Sequence, residues 1–81
     1  MTVSIYSLKK TIFHGEAKSL TCPTTSGEIT LLDNHRPLIT VLKSGVMKMV
    51  DKSEEIHYIN VSSGFLEVQD NKARLIVEPR T

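Results

Sequence analysis

The single cysteine and the three histidines are the first candidates for metal binding or nucleophilic chemistry in this sequence: Cys22, His14, His35 and His57. A metal site needs several such ligands together, and a nucleophile needs a neighbouring base. The histidines are well separated, and we see no carboxylate or thiolate at the ligand spacing of known metal motifs near any of them. Although folding could bring distant side chains together, we do not expect a metal site. Because Cys22 is the only cysteine, it cannot form an internal disulfide, and we expect a small, partly buried residue rather than a nucleophile.

Motifs of the common enzyme classes are absent from the sequence. It contains no Gly-x-Ser-x-Gly nucleophile elbow, no glycine-rich phosphate loop and no His-Glu-x-x-His metal motif. We therefore expect neither catalytic activity nor a cofactor.

His35 lies in a polar bend, Asn34 to Pro37, between two short apolar runs. Pro37 fixes its own φ and restricts the residue before it, so the bend is expected to be rigid. The His35 ring nitrogens could tie down the bend, or the side chain could be an exposed contact on an interface loop. We favour the structural role over the contact role, with which it is compatible. Catalysis ranks last, because the sequence places no Ser or Asp partner beside this histidine.

Glu28 follows Ser26 and Gly27 in a predicted turn that leads into a strand. One interpretation is an ordinary solvated acid, and the other is a charged contact at one end of the fold. The physical chemistry of the residues alone favours the solvated acid.

The bulk composition limits the classes of protein to which the chain can belong. With 81 residues, of which 40% are hydrophobic, the chain is expected to form one small domain, residues 1–81, around a single core. A net charge of +1 argues against a nucleic-acid-binding protein, which usually carries a basic excess. We see no apolar run near the ~20 residues that span a bilayer, and no secretory signal or transit peptide at the start.

Apolar and polar residues alternate along the chain at the spacing of β-strands. Val3 and Ile5 fall on one face of a first candidate strand, and Leu66 and Val68 fall on one face of a later one. We interpret Leu38 to Leu42 as a strand rather than a short helix. Glycines, prolines and polar clusters interrupt the apolar runs at short intervals. The sequence therefore predicts an all-β fold, a small flattened sandwich or barrel of about 8–10 short, mostly antiparallel strands.

Several of these interruptions predict turns. Asp70 and Asn71 form a candidate two-residue hairpin turn, since both residue types tolerate positive φ. The charged residues 51–55 are the predicted tip of another hairpin. We also expect Gly45 and Gly64 to be structural turn residues.

Two motif blocks, in their order along the chain, resemble the sequences of a known family. The first runs from Ser26 to Gly45 and contains the Gly-Glu turn and the Asn-His-Arg-Pro-Leu bend, and the second runs from Gly64 to Val68. Both are similar to the epsilon subunit of rotary F-type ATP synthases, in the β-sandwich domain that begins that subunit. The resemblance extends from about Val3 to Val77. Thr30, Arg36 and Ser63 depart from the family, which often has glycine, a small residue and glycine at these positions.

The resemblance implies a non-catalytic central-stalk rotor subunit of a proton- or sodium-translocating F-type ATP synthase. The implied partners are the gamma subunit and the c-ring subunits, with no nucleic acid and no small-molecule substrate. The implied location is cytoplasmic, peripheral on the inner face of the energy-transducing membrane. In the family, Glu28 would face the loops of the c ring, and the bend would lie near the rotor contacts. The candidate c-ring and gamma contacts are Ser26, Gly27, Glu28, Asn34, His35, Arg36, Pro37 and Leu38.

The family normally continues into a C-terminal helical hairpin, which inhibits ATP hydrolysis and in some members binds ATP. The chain as given stops before such a hairpin, so we expect it to do neither. An alternative function is a stand-alone small β domain that binds a protein or a ligand outside the synthase. A third is a barrel that binds single-stranded nucleic acid, which ranks last because two Tyr and two Phe on a chain of net charge +1 offer few stacking platforms.

Overall fold

The structure is a computed structural model that describes residues 1–80. Seven strands form within this range, and most of their pairings are antiparallel. The strands are β1 (Thr2–Tyr6), β2 (Thr11–Thr24), β3 (Gly27–Leu31), β4 (Leu38–Leu42), β5 (Gly45–Asp51), β6 (Ile56–Gln69) and β7 (Lys72–Pro79). The prediction of an all-β fold is confirmed. Within residues 1–80, no helix is long and apolar enough to cross a membrane.

Five of the strands close into a ring. β1 pairs with β2, β2 with β5, β5 with β6, β6 with β7, and β7 returns to β1 as the one parallel pair. β3 is added to the ring beside β2, and β4 pairs along β6 and, at Leu42, with Thr24 of β2. The extents of 28 × 25 × 19 Å show that the closed sheet is flattened, as the sequence predicts. Closure pairs the strand edges that an open sheet would leave free.

The number of strands, seven, is lower than the predicted eight to ten because β2 and β6 are long. Each has 14 residues and runs through positions at which we expected interruptions, including Gly15, Pro23 and Gly64. Both strands contain a register shift, between Ala17 and Ser19 in β2 and between Val61 and Ser63 in β6. Extra residues of this kind bend a strand, so one strand contributes to both layers of a sandwich.

The core lies between the two layers, and the predicted alternation fills it. Val3, Ile5 and Leu66 are fully buried, and Val68 is 2% exposed. Met47 and Met49 on β5 also lie in the core. The free thiol of Cys22 is buried among these residues, and burial raises its pKa to about 12. A thiol with so high a pKa stays protonated at neutral pH, which agrees with the predicted inert role.

Gly64 does not lie in a turn, which corrects our prediction. It lies inside β6, where a Cβ atom would come within 2.6 Å of the carbonyl oxygen of Ile76 on β7. The glycine is required by the close approach of two backbones and not by chain reversal. Gly45 is the first residue of β5, directly after the two-residue connection from β4, and its missing Cβ faces the Pro23 ring at 3.0 Å.

The predicted hairpin turns have the expected conformations. Asp70 and Asn71 connect β6 to β7 with φ values of 52° and 58°, as a type I′ turn requires. Residues 52–55 connect the paired strands β5 and β6. These turns fix the register of β5, β6 and β7 relative to one another.

Candidate functional site

The first group of predicted contact residues forms the tip of the β2–β3 hairpin. Gly27 has a φ of 114°, which a residue with a side chain rarely adopts. The hydroxyl of Thr24 donates a hydrogen bond of 2.6 Å to the carbonyl oxygen of Gly27 and accepts one of 3.1 Å from the N–H of Ser26. These bonds fix the turn that leads directly into Glu28, which is exposed. Among residues 1–80 the Glu28 carboxylate has no ion-pair partner, so its charge is available to another molecule.

The second group forms the connection between β3 and β4. Residues 33–37 are exposed, and Asn34 has a φ of 62°. Nδ1 of His35 lies 2.8 Å from the carbonyl oxygen of Arg36, so this ring makes a hydrogen bond inside the bend. Leu38 is the first residue of β4 and pairs with Val68. The ring of His35 therefore acts locally and does not join the bend to the rest of the domain.

Asn71 and Met1, neither of which was predicted to contact the bend or its neighbours, join this segment to the fold. The N–H of Asn34 donates a hydrogen bond of 2.7 Å to Oδ1 of Asn71, in the β6–β7 turn. Beside it, the ammonium group of Met1 donates to the carboxylate of Asp33 and, at 3.1 Å, to the carbonyl oxygen of Ala17. The residues paired by the first contact are 37 positions apart. No local pattern identifies such a pair, although the composition of the 70–71 turn predicted where Asn71 would lie.

The two groups of predicted contacts do not come together. Glu28 lies near the start of β3, and the bend follows the end of the same strand. A strand of five residues is about 15 Å long, so it separates the two groups by roughly that distance. The arrangement suits two contact points on one extended partner surface, or on two partners, rather than a single small pocket.

A third cluster brings two carboxylates close to a histidine, although we saw none at ligand spacing in the sequence. Nε2 of His57 lies 2.8 Å from Oδ2 of Asp51, and ligand atoms of Asp51, Glu55 and His57 lie within 4.8 Å of one another. Oδ1 of Asp51 also accepts the N–H groups of Ser53 and Glu55 at 2.8 and 3.0 Å. The Asp51 carboxylate is thus already bonded on both oxygens. The cluster closes the β5–β6 hairpin.

These hydrogen bonds change the acidity of Asp51. The bond from His57 stabilises the carboxylate, and together with the N–H groups of Glu55 and Ser53 it outweighs desolvation. The pKa of Asp51 is therefore held below its ordinary value of 3.8. The ring of His57 also packs against Phe13, with centroids 5.6 Å apart, which joins the hairpin to β2. The side-chain chemistry of this cluster is structural.

An apolar row on the outer face of the sheet was not predicted. Val41 on β4 pairs with Phe65 on β6, and Phe65 pairs with Ile76 on β7. The three side chains are 44%, 61% and 48% exposed. We call Val41, Phe65 and Ile76 the apolar row. The sequence pattern could have predicted part of this row, because the alternation that buries Leu66 turns Phe65 outward.

Residues 1–79 match the family described as the ATP synthase Delta/Epsilon chain, beta-sandwich domain. The chain belongs to this family. It is 36% identical over 78 residues to the ATP synthase epsilon chain of Leptospira borgpetersenii, covering 96% of this chain and 61% of that protein. It is 35% identical over 77 residues to the ATP synthase epsilon chain of a Synechococcus species, covering 95% of this chain and 55% of that protein. The chain thus spans little more than half the length of these curated relatives.

Solved structures share the fold of this chain. A chain in the central stalk and c-ring structure of the Tetrahymena thermophila mitochondrial ATP synthase superposes with a TM-score of 0.85 at 19% identity, over 95% of this chain and 62% of that one. A chain in the Euglena gracilis mitochondrial ATP synthase gives 0.86 at 20% identity, over 95% of this chain and 51% of that one. At these identities the likeness concerns the fold. The family resemblance inferred from the two motif blocks is confirmed, whereas the contact roles of the individual residues stay predictions.

Proposed function

We propose that this epsilon-type sandwich is a non-catalytic central-stalk rotor subunit of an F-type ATP synthase. The observation that supports it most is the family match over residues 1–79, together with relatives named ATP synthase epsilon chain at about 35% identity. In this function the domain couples the c ring to the catalytic head through the gamma subunit. It is membrane-associated only through the complex, on the inner face of the energy-transducing membrane.

The closed ring of strands suits a mechanical role. A rotor part must transmit force without changing shape, and close-packed interiors have low compressibility. In this domain five strands pair around a core that includes Ile5, Leu20, Leu66 and Leu75, all fully buried. Since the ring has paired strands on both sides of each member, bending one strand requires its neighbours to move as well. We infer that the domain turns as a rigid body.

We assign the apolar row to the contact with gamma. Exposed apolar patches rimmed by polar residues mark protein-binding surfaces. Leu8, Lys10 and Glu78 line the same shallow groove as the apolar row, so the row has an apolar centre and a rim with charges of both signs. An aromatic anchor such as Phe65 is the type of residue that carries most of the binding energy in an interface.

We assign Glu28 and the bend at Asn34 to Leu38 to contacts with the c-ring loops and the adjoining part of gamma. Glu28 is exposed and has no ion-pair partner among residues 1–80, and the bend is exposed from Asp33 to Pro37. Both belong to the motif block on which the family resemblance depends. Loops that a rigid scaffold holds in place are common binding elements.

Binding of this chain to its cognate gamma subunit tests the function. The matched variants are Phe65→Ser in the apolar row and Tyr58→Ser on the same strand, because the two aromatic side chains are 61% and 67% exposed. We expect Phe65→Ser to weaken binding by about thirtyfold or more, as for an interface hot spot, and Tyr58→Ser to leave it unchanged. Calorimetry on the folded proteins measures both affinities.

The outcomes distinguish an error in the proposed rotor function from an error in the proposed gamma-binding surface. Failure of the folded wild-type chain to bind gamma contradicts the rotor function. Binding that Tyr58→Ser weakens and Phe65→Ser does not would keep the rotor function and move the gamma contact to the other layer of the sandwich.

A further inference from the structure

The bend that carries the candidate contacts has an unusual backbone conformation at its start. Asn34 has a φ of 62°, in the left-handed region, which is uncommon for residues with side chains although asparagine adopts it more readily than most. Such conformations persist where surrounding contacts hold them in place. The residues that follow, His35 and Arg36, bond only to each other. The conformation of the bend therefore depends on what holds Asn34 and its neighbour Asp33.

Asn34 is held by the side chain of Asn71. The N–H of Asn34 donates to Oδ1 of Asn71 at 2.7 Å, which is a short bond for an amide pair. The contact crosses from the β3–β4 connection to the β6–β7 turn. A half-buried turn residue, with no other described contact to the bend, is thereby joined to the segment we assign to partner binding.

Asn71 is itself firmly placed. It occupies the second position of the type I′ turn with a φ of 58°, and its carbonyl oxygen accepts the N–H of Thr2 at 3.1 Å. The same residue therefore contacts β1 through its backbone and the bend through its side chain. This geometry fixes the Asn34 amide relative to the strands of the ring.

The neighbouring contact at Asp33 acts on the other side of the bend's first residue. Its carboxylate accepts from the ammonium of Met1, and Met1 is 5% exposed. Past Asn34 the bend makes no hydrogen bond to another element until Leu38 pairs on β4. Asn71 is thus the last anchor before the exposed residues His35, Arg36 and Pro37.

We propose that Asn71 is a positioning residue whose side-chain oxygen fixes the bend for partner binding. That Asn71 fixes the bend is argued from the contacts above. That the fixed bend favours partner binding rests on the proposed function. The chain offers variants that separate the side chain from the turn. Asn71→Gly removes the acceptor and keeps a favoured Asp-Gly turn, whereas Asp70→Gly gives a Gly-Asn turn and leaves Asn71 in place. Asn71→Asp keeps an acceptor oxygen at the same position.

Amide hydrogen exchange of the four folded proteins is the first readout. We expect Asn71→Gly to speed exchange of the Asn34 amide by about tenfold, because its only described acceptor is lost. Asp70→Gly and Asn71→Asp are expected to stay within about threefold of the wild-type rate. An unchanged Asn34 rate in Asn71→Gly overturns the proposal. Equal acceleration by Asp70→Gly or by Asn71→Asp also overturns it, since the cause would then be the turn or its charge.

Affinity for the assembled gamma and c-ring rotor is the second readout. We expect Asn71→Gly to weaken binding by about fivefold, because a looser bend must be ordered on binding, and Asn71→Asp to restore it. If Asn34 exchange changes but affinity does not, the binding part is wrong. If the wild-type chain itself does not bind, the proposed function fails, and hydrogen exchange still decides whether Asn71 holds the bend.

Discussion

Single residues of this domain differ in role according to whether their side chains point into the closed ring or out of it. Inward residues such as Val3 and Leu66 are buried, and outward residues such as Glu28 are free to meet partners. The alternation of the sequence predicted both sets, because the side-chain period of a strand is two. It could not predict the contact between Asn34 and Asn71, since 37 residues separate the two and only the fold brings them together.

The titration of Cys22 tests whether the inward-pointing side chains are buried in the core. Because burial raises the pKa of its thiol to about 12, the folded chain keeps this proton at pH values where the unfolded chain releases it. Its contribution to stability is therefore full below the ordinary value of 9.0 and is lost as the pH rises from there toward 12. We expect the free energy of unfolding to fall between pH 8.5 and about 11, and to fall less in Cys22→Ala.

The measurement is urea unfolding across this pH range for both proteins. Native Cys22 should also react with a thiol reagent no faster than the domain unfolds. Rapid labelling at neutral pH in the folded protein would show that the thiol is accessible and that its placement in the core is wrong.

The positions of the strands were predicted better than their lengths. Apolar periodicity identified the core faces that carry Val3 and Ile5 and that carry Leu66 and Val68, and turn chemistry identified the type I′ turn at Asp70 and Asn71. The same rules for turn residues predicted interruptions within β2 and β6, because a glycine inside a bent strand cannot be distinguished in a sequence from a glycine in a turn. Only the position of the neighbouring backbone distinguishes the two, and that position is set by pairing between β6 and β7.

Gly64 provides a test at the level of this strand pair. In Gly64→Ala the new Cβ would lie 2.6 Å from the carbonyl oxygen of Ile76, which is backbone and cannot rotate away. We expect a loss of about 1–3 kcal/mol in the free energy of unfolding, as for other overpacked sites. Gly15→Ala is the matched control, because its Cβ would meet only the tip of the Phe13 ring at 3.2 Å. Chemical denaturation of both variants measures the difference, and equal losses would contradict a backbone clash.

The β5–β6 hairpin has its own dependence on pH. The pKa of Asp51 is lowered by its bond to His57 and by two backbone N–H groups, so its contribution to stability is present above the ordinary value of 3.8. That contribution is lost as the pH falls through the lower pKa of the folded chain. We therefore expect wild-type stability to decrease below about pH 4, and Asp51→Asn to weaken this decrease while lowering stability at pH 7.

Glu55→Gln is the control for the acid titration, because Asp51 accepts the backbone N–H of Glu55 and not its side chain. Thermal unfolding from pH 2 to 7 compares the three proteins. If Glu55→Gln weakens the loss of stability at low pH as much as Asp51→Asn does, the effect comes from general charge and not from the hydrogen bonds of the hairpin.

The molecule as a whole combines a closed ring with two further strands, β3 and β4, and the candidate contacts at Glu28 and the bend lie on and beside these two. β3 pairs with β2 alone, and it connects the Glu28 turn to the bend. β1 has the same five residues in length but pairs with both β2 and β7. The Glu28 turn and the bend thus adjoin a strand that is paired on one side only, where external anchors such as Asn71 have the greatest effect.

This difference predicts the order in which the domain opens. A strand paired on one side can separate without breaking the ring, whereas β1 can leave only if the ring opens. We expect the hydrogen-bonded amides of β3 to exchange by local opening, at least about tenfold faster than those of β1, and β1 to exchange at the rate of global unfolding. Hydrogen exchange in increasing denaturant distinguishes the two, because only global opening accelerates steeply with denaturant. Protection in β3 equal to that in β1 would mean that the added strand and the ring form one cooperative unit, and that partner contacts are presented by a surface as rigid as the core.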